Sequence, residues 1–113
     1  LEATARVAAA RFEVTVLGAL REAEIALDAY ARELERHAAL SAARDQSLTV
    51  VDQARALQIS GKVGQLDALD AQRTLASNEA ALAASDAQLA ECQVAVFMAL
   101  GGGWEGNPTA SPL

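Results

Sequence analysis

Asp67 and Asp70 lie three residues apart, and in a helix that spacing puts both carboxylates on one face. That placement puts two like charges on the same stretch of helix surface. The same two residues fall in the first turns of a predicted helix, where the helix dipole stabilises a carboxylate. A structural reading therefore stands beside the functional one. The other reactive side chains are more isolated. His37 has no second histidine in the chain and no cysteine nearby, so it reads as a histidine on a helix face rather than a metal ligand. Cys92 is the single cysteine and cannot close an internal disulfide, so it reads as a small packed residue. Ser41, Ser47, Ser60, Ser77 and Ser85 lack histidine and aspartate partners at triad-like spacing. Gly101-Gly102-Gly103 is not followed by the Lys-Ser/Thr of a phosphate loop. The sequence thus predicts no enzyme, no cofactor and no bound metal.

The elements that would position the two carboxylates are long helices. Hydrophobic residues make up 52% of the 113 positions, but aromatics only 4%, and much of the apolar content is alanine, the strongest helix former. Both prolines, Pro108 and Pro112, lie in the tail, so nothing before them forces a helix to stop. Gly61-Lys62-Val63-Gly64 is the one glycine-bearing break between Ala19 and Leu100. Gly61 suits the residue just past a helix end, where a left-handed backbone is needed. The reading is an all-α chain: a long antiparallel helical hairpin, coiled-coil-like, occupying residues 1–104. A helix covers about 2–60, a tip about 60–65 and a second helix about 64–100. The glycine run is expected to end the second helix, and residues 105–113 to form a flexible tail.

Hydrophobic periodicity predicts which faces meet. In the first helix Leu20, Leu27, Leu34, Ser41 and Leu48 recur at seven, with a second line of Val7, Val14, Leu17, Tyr30, Val51 and Leu57. Such heptads indicate a seam against another helix. In the second helix Leu75, Leu82, Leu89 and Val96 form one line. Leu69, Ala76, Ala83, Ala90 and Phe97 form an adjacent line of mostly small residues. The pair of lines suggests a helix that touches two neighbours. Tyr30, Phe97 and Trp104 read as packing anchors, and Gln58, Gln65 and Gln72, also at seven, as a water-facing stripe. At 1.5 Å per residue the helices span roughly 90 and 55 Å. Folded at the tip, Leu100 meets about residue 24, so Val7, Phe12, Val14 and Leu17 need a partner outside the hairpin. Self-association follows as an expectation.

Charge excludes one large class of partner. The net charge is −6 and no lysine–arginine cluster occurs, which argues against a nucleic-acid surface. The alternating charges of Arg32-Glu33-Leu34-Glu35-Arg36 read as a solvated helix face. No apolar run reaches the ~18 residues of a membrane-spanning helix. The chain does not start with methionine and reads as a fragment or processed product, so missing targeting signals carry little weight.

Four segments occur in a familiar order. They are Arg11-Phe12 with Ala19-Leu20-Arg21-Glu22-Ala23-Glu24, the tip glycine, Leu69-Asp70-Ala71-Gln72-Arg73-Thr74-Leu75, and Ala99-Leu100-Gly101-Gly102-Gly103-Trp104-Glu105. Over about residues 5–105 the chain resembles the C-terminal helical half of outer-membrane efflux proteins of TolC/OprM type, within them the NodT-like lipoprotein branch. The resemblance implies a homotrimer in the cell outer membrane, joined to the membrane through segments absent from this chain. The hairpin would then lie in the periplasm as part of an α-barrel duct for efflux or type I secretion. Periplasmic adaptor proteins dock at such tips, here Ser60, Gly61, Lys62, Val63, Gly64 and Gln65, and an inner-membrane pump feeds the duct. Asp67 and Asp70 match the acidic residues that ring the channel constriction. In that family a basic residue two positions past the tip glycine joins a latch. Here that position is Val63, which leaves Lys62 as the candidate. The alternative reading is a helical hairpin whose role is association alone, a coiled-coil adaptor without transport.

Overall fold

Alanine-rich sequence without internal proline has little to interrupt a helical hydrogen-bond ladder. The computed structural model, which describes residues 1–105, accordingly consists of two α-helices, α1 (Glu2–Ile59) and α2 (Gln65–Glu105). The chain reverses between them, and among the described residues there is no strand. The cross-helix hydrogen bonds run antiparallel: Glu33 of α1 meets Ser85 of α2, and Ser47, nearer the tip, meets Asn78. The expected all-α hairpin is what the chain forms.

The glycine run behaves differently from expectation. The ladder of α2 continues through Gly101, Gly102 and Gly103 to Glu105. Glycine lowers helix stability by roughly 1 kcal/mol relative to alanine but keeps its N–H donor, so it weakens a helix without breaking it. Gly61 is the only described residue with a positive φ, so the run holds no left-handed residue of the kind that ends α1. Of the expected tail, residues 106–113 lie outside the described residues.

Two units are each described by themselves, Arg32–Ala90 with the tip, and Leu1–Ala31 with the residues from Glu91 on. In the tip unit, α1 turns Glu33, His37, Leu40, Arg44, Ser47, Val51 and Ala54 away from solvent. From α2 come Ala68, Ala71, Leu75, Asn78, Leu82, Ser85 and Leu89. Both series step by three and four, the spacing of a coiled-coil seam. The expected line of Leu75, Leu82 and Leu89 does face α1. Of the two expected α1 lines, Val51 of the second faces α2 as well, but in the first Leu34 is 45% exposed and Leu48 is exposed too, with Ser41 half-buried. On α2, Leu69, Ala76, Ala83 and Ala90 are likewise turned outward. Lines at seven that lie one step apart around a helix share one period, so periodicity alone cannot choose between them. The seam that forms carries cross-helix pairs of polar groups.

Those pairs are specific. Ser85 is fully buried, and its hydroxyl donates to Glu33 Oε1 at 2.7 Å. The Glu33 side chain is itself only 12% exposed and has Arg36 Nη1 at 3.5 Å on its own helix. Asn78 Nδ2 donates to Ser47 Oγ, with the Ala43 carbonyl at 3.4 Å. His37 Nε2 meets Asp86 Oδ1. No buried side-chain nitrogen or oxygen among the described residues is left unsatisfied. Satisfying such groups matters because an unpaired buried polar atom costs about 1–3 kcal/mol.

The other unit repeats the pattern. Ala23, Ala26 and Tyr30 of α1, and Cys92, Val96 and Ala99 of α2, are withdrawn from solvent. Gln93 Nε2 donates to the Tyr30 hydroxyl at 3.3 Å. Tyr30 therefore packs as expected, whereas Phe97 is 75% exposed rather than a buried anchor. Leu20 and Leu27 of the expected α1 seam are exposed. Residues 1–20 are exposed throughout, Val7, Phe12, Val14 and Leu17 among them, in keeping with the length argument. Trp104 lies in the last turn of α2.

Seam and shoulder positions should respond differently to truncation. Val51→Ala, at a position 5% exposed, should destabilise the hairpin by about 1–3 kcal/mol. Leu34→Ala should change it by less than about 0.5 kcal/mol. Urea unfolding followed by circular dichroism, at a concentration where the chain is monomeric, measures both.

Candidate functional site at the hairpin tip

Five residues reverse the chain, and their backbone bonds explain why so few suffice. Gly61 has φ 75°, and its N–H donates to the Gln58 carbonyl at 3.0 Å. The Lys62 N–H reaches back to the Leu57 carbonyl at 2.8 Å. Together these form a Schellman motif, which satisfies carbonyls that a helix end otherwise leaves open. The Ser60 hydroxyl also donates to the Leu57 carbonyl, at 2.9 Å. Gly64 opens α2, its carbonyl accepting from the Ala68 N–H at 3.4 Å. Of the six tip residues Val63 is half-buried, and Ser60, Gly61, Lys62, Gly64 and Gln65 are exposed.

Asp67 and Asp70 follow immediately. Asp67 lies in the first turn of α2 and Asp70 one turn on, where its carbonyl accepts from the Thr74 hydroxyl at 3.1 Å. Both side chains are exposed, and neither carboxylate pairs with another described side chain. The structure brings them together on one side of the tip unit. There they border a groove of about 420 Å³ completed by Gln46, Ser47 and Val50 of α1 and by Ala71, Thr74 and Asn78 of α2. Gln46 and Val50 were not legible as groove residues, because their place depends on how α1 is turned against α2. Their signal lies in the three-and-four spacing of the small and polar residues flanking them.

The remaining sequence candidates are dispersed. Lys62, the latch candidate, makes no ion pair among the described residues. His37 pairs with Asp86 across the seam, and Ser85 pairs with a carboxylate rather than a histidine. Gln58 lies on α1 and Gln65 and Gln72 on α2, so the chain reversal divides the glutamine stripe. Among the described residues no three histidine, cysteine, aspartate or glutamate side chains gather as a metal site. No described helix is long and apolar enough to cross a membrane. The arrangement offers an exposed tip with an acid-bordered groove beside it.

With that geometry in hand, similarity to known proteins narrows the reading. Over 105 residues the chain is 33% identical to Nodulation protein T of Rhizobium leguminosarum bv. viciae. The alignment covers 89% of this chain and 21% of that protein, so the chain spans about one fifth of the length of the curated relative it matches. No family model matches, and no solved structure does.

The tip makes its own prediction. A Cβ at Gly61 would meet open space, so the penalty of Gly61→Ala is the left-handed backbone alone. The substitution should cost roughly 1–2 kcal/mol. Gly61→Asn should cost less, since asparagine tolerates that conformation. Thermal unfolding of the two variants against the parent chain tests the order.

Proposed function

We propose that this chain is the periplasmic helical hairpin of an outer-membrane efflux protein, a lipoprotein of the TolC/OprM type. In the whole protein it forms part of a trimeric duct for efflux or type I secretion. The observation that carries the reading is the match to Nodulation protein T over 89% of the chain. The geometry supports it in two ways. The hairpin hides small and polar residues beside a few leucines and leaves Leu34, Leu48 and Leu69 outward, as a wall element flanked by neighbours requires. It also ends in a short exposed tip suited to docking a periplasmic adaptor, with an inner-membrane pump beyond.

In this reading the chain performs no catalysis. Its contribution is shape and charge. Asp67 and Asp70 stand just behind the tip, and threefold symmetry multiplies two carboxylates per subunit into six. A ring of that kind favours cations and narrows the passage electrostatically. The tip residues from Ser60 to Gln65 form the adaptor-facing end, with Lys62 available for contacts outside the chain. Attachment to the outer membrane is the task of segments other than this one.

Neutralising both carboxylates in the full-length protein, Asp67→Asn with Asp70→Asn, should lower cation preference and cation block in planar-bilayer conductance while leaving trimers intact. Unchanged selectivity in correctly assembled trimers would assign the two residues to the helix dipole alone. For the isolated chain, sedimentation at micromolar concentration should show self-association through the exposed Val7, Phe12, Val14 and Leu17 face. A stable, purely monomeric species would count against that face as an interface.

A further inference from the structure

The tip unit contains a conflict that its hydrogen bonds resolve. On α1 the seam line of Glu33, Leu40, Ser47 and Ala54 is followed, one residue on, by the line of Leu34, Ser41 and Leu48. A roll of α1 by about 50°, half the angle between successive residues of a heptad helix, would keep the line of His37, Arg44 and Val51 in the seam and replace the Glu33 line on one side of it by the Leu34 line on the other. It would set Leu34 and Leu48 toward the half-buried line of Leu75, Leu82 and Leu89. On apolar burial alone the rolled arrangement gains, because it brings in two leucines, Leu34 and Leu48, with Ser41, and gives up one, Leu40, with Glu33, Ser47 and Ala54. The observed arrangement nevertheless keeps Leu34 and Leu48 exposed.

We infer that the Glu33–Ser85 and Ser47–Asn78 hydrogen bonds act as rotational stops, holding α1 with its leucine line turned away from α2. Three observations carry this. Ser85 is fully buried and donates to Glu33 at 2.7 Å. The Glu33 side chain is almost wholly withdrawn from water, which a carboxylate accepts only when it is paired. Asn78 is bonded both to the Ser47 hydroxyl and to the Ala43 carbonyl, so it grips α1 at two adjacent points. A single buried polar residue can set the arrangement of a coiled coil at a cost in stability, and here two layers do so. The same stops keep Gln46 and Val50 on the groove beside Asp67 and Asp70. The inference concerns the hairpin itself and stands whether or not the chain belongs to a duct.

The test uses the whole chain with Cys92→Ala and a single reporter thiol, either Leu48→Cys on the leucine line or Ala54→Cys on the seam line. Each reporter is combined with Ser85→Ala and Asn78→Ala, which remove both partners on α2 without adding apolar bulk. Maleimide labelling is read at one dilute protein concentration, with helicity checked by circular dichroism. Release of the stops should slow labelling at position 48 and speed it at position 54, each by roughly tenfold, the scale set by losing hydrogen bonds that involve a charged group. Loosening without rotation speeds both positions, and a purely local loss changes neither. Either result overturns the inference. Should the double variant lose helicity, Asn78→Ala alone, which leaves Glu33–Ser85 in place, is read by the same opposing pair of rates.

Discussion

Ser85 has no exposure to water, so its hydroxyl must find a partner inside the hairpin, and the partner is the carboxylate of Glu33. That pairing constrains what surrounds it. A carboxylate drawn into a helix seam loses hydration that only directed hydrogen bonds replace, and the geometry of those bonds fixes how the two helices face each other. Asn78 and Ser47 repeat the constraint two turns nearer the tip. Between these layers lie alanines and single leucines, which let the backbones approach closely but bury little apolar area.

A hairpin built this way is held in one arrangement more firmly than it is stabilised. Its larger apolar side chains, Leu34, Leu48 and Leu69 in one unit and Phe12, Leu20 and Phe97 in the other, remain on the outside. Exposed apolar lines of that extent mark surfaces that meet other protein. The acidic groove lies on the tip unit with Gln46 and Val50, residues that the polar layers hold in place. The proposed duct wall and the constriction at its tip are thus two consequences of one choice of facing.

The two helices and the reversal were legible in the sequence because their causes are local. Alanine content, the absence of proline and a glycine able to take φ 75° act within a few residues of where they stand. The glycine run was over-read, since a glycine ends a helix only where a left-handed backbone or a capping partner is in place. Of the two expected α1 lines, Tyr30 and Val51 of the second do lie in the seam, but the leucine line was misplaced, for a different reason. Periodicity reports that a face is apolar, and the leucine line is as periodic as the true seam, but the choice between them rests on pairs 31 and 52 residues apart in sequence. Asp67 and Asp70 could be placed on one side from their spacing. The α1 residues that share their groove could not, because those depend on the same long-range pairs.

The facing of α1 against α2 is the claim on which the rest stands, and proton contacts within one chain measure it directly. A nuclear Overhauser spectrum of the chain, isotope-filtered to retain contacts within a single molecule, should link the Asn78 side-chain amide to the Ser47 β-protons and the Ser85 β-protons to the Glu33 γ-protons. Contacts instead from the Leu48 methyls to those of Leu75 and from the Leu34 methyls to those of Leu89, with the Asn78 and Ser85 contacts missing, would contradict it.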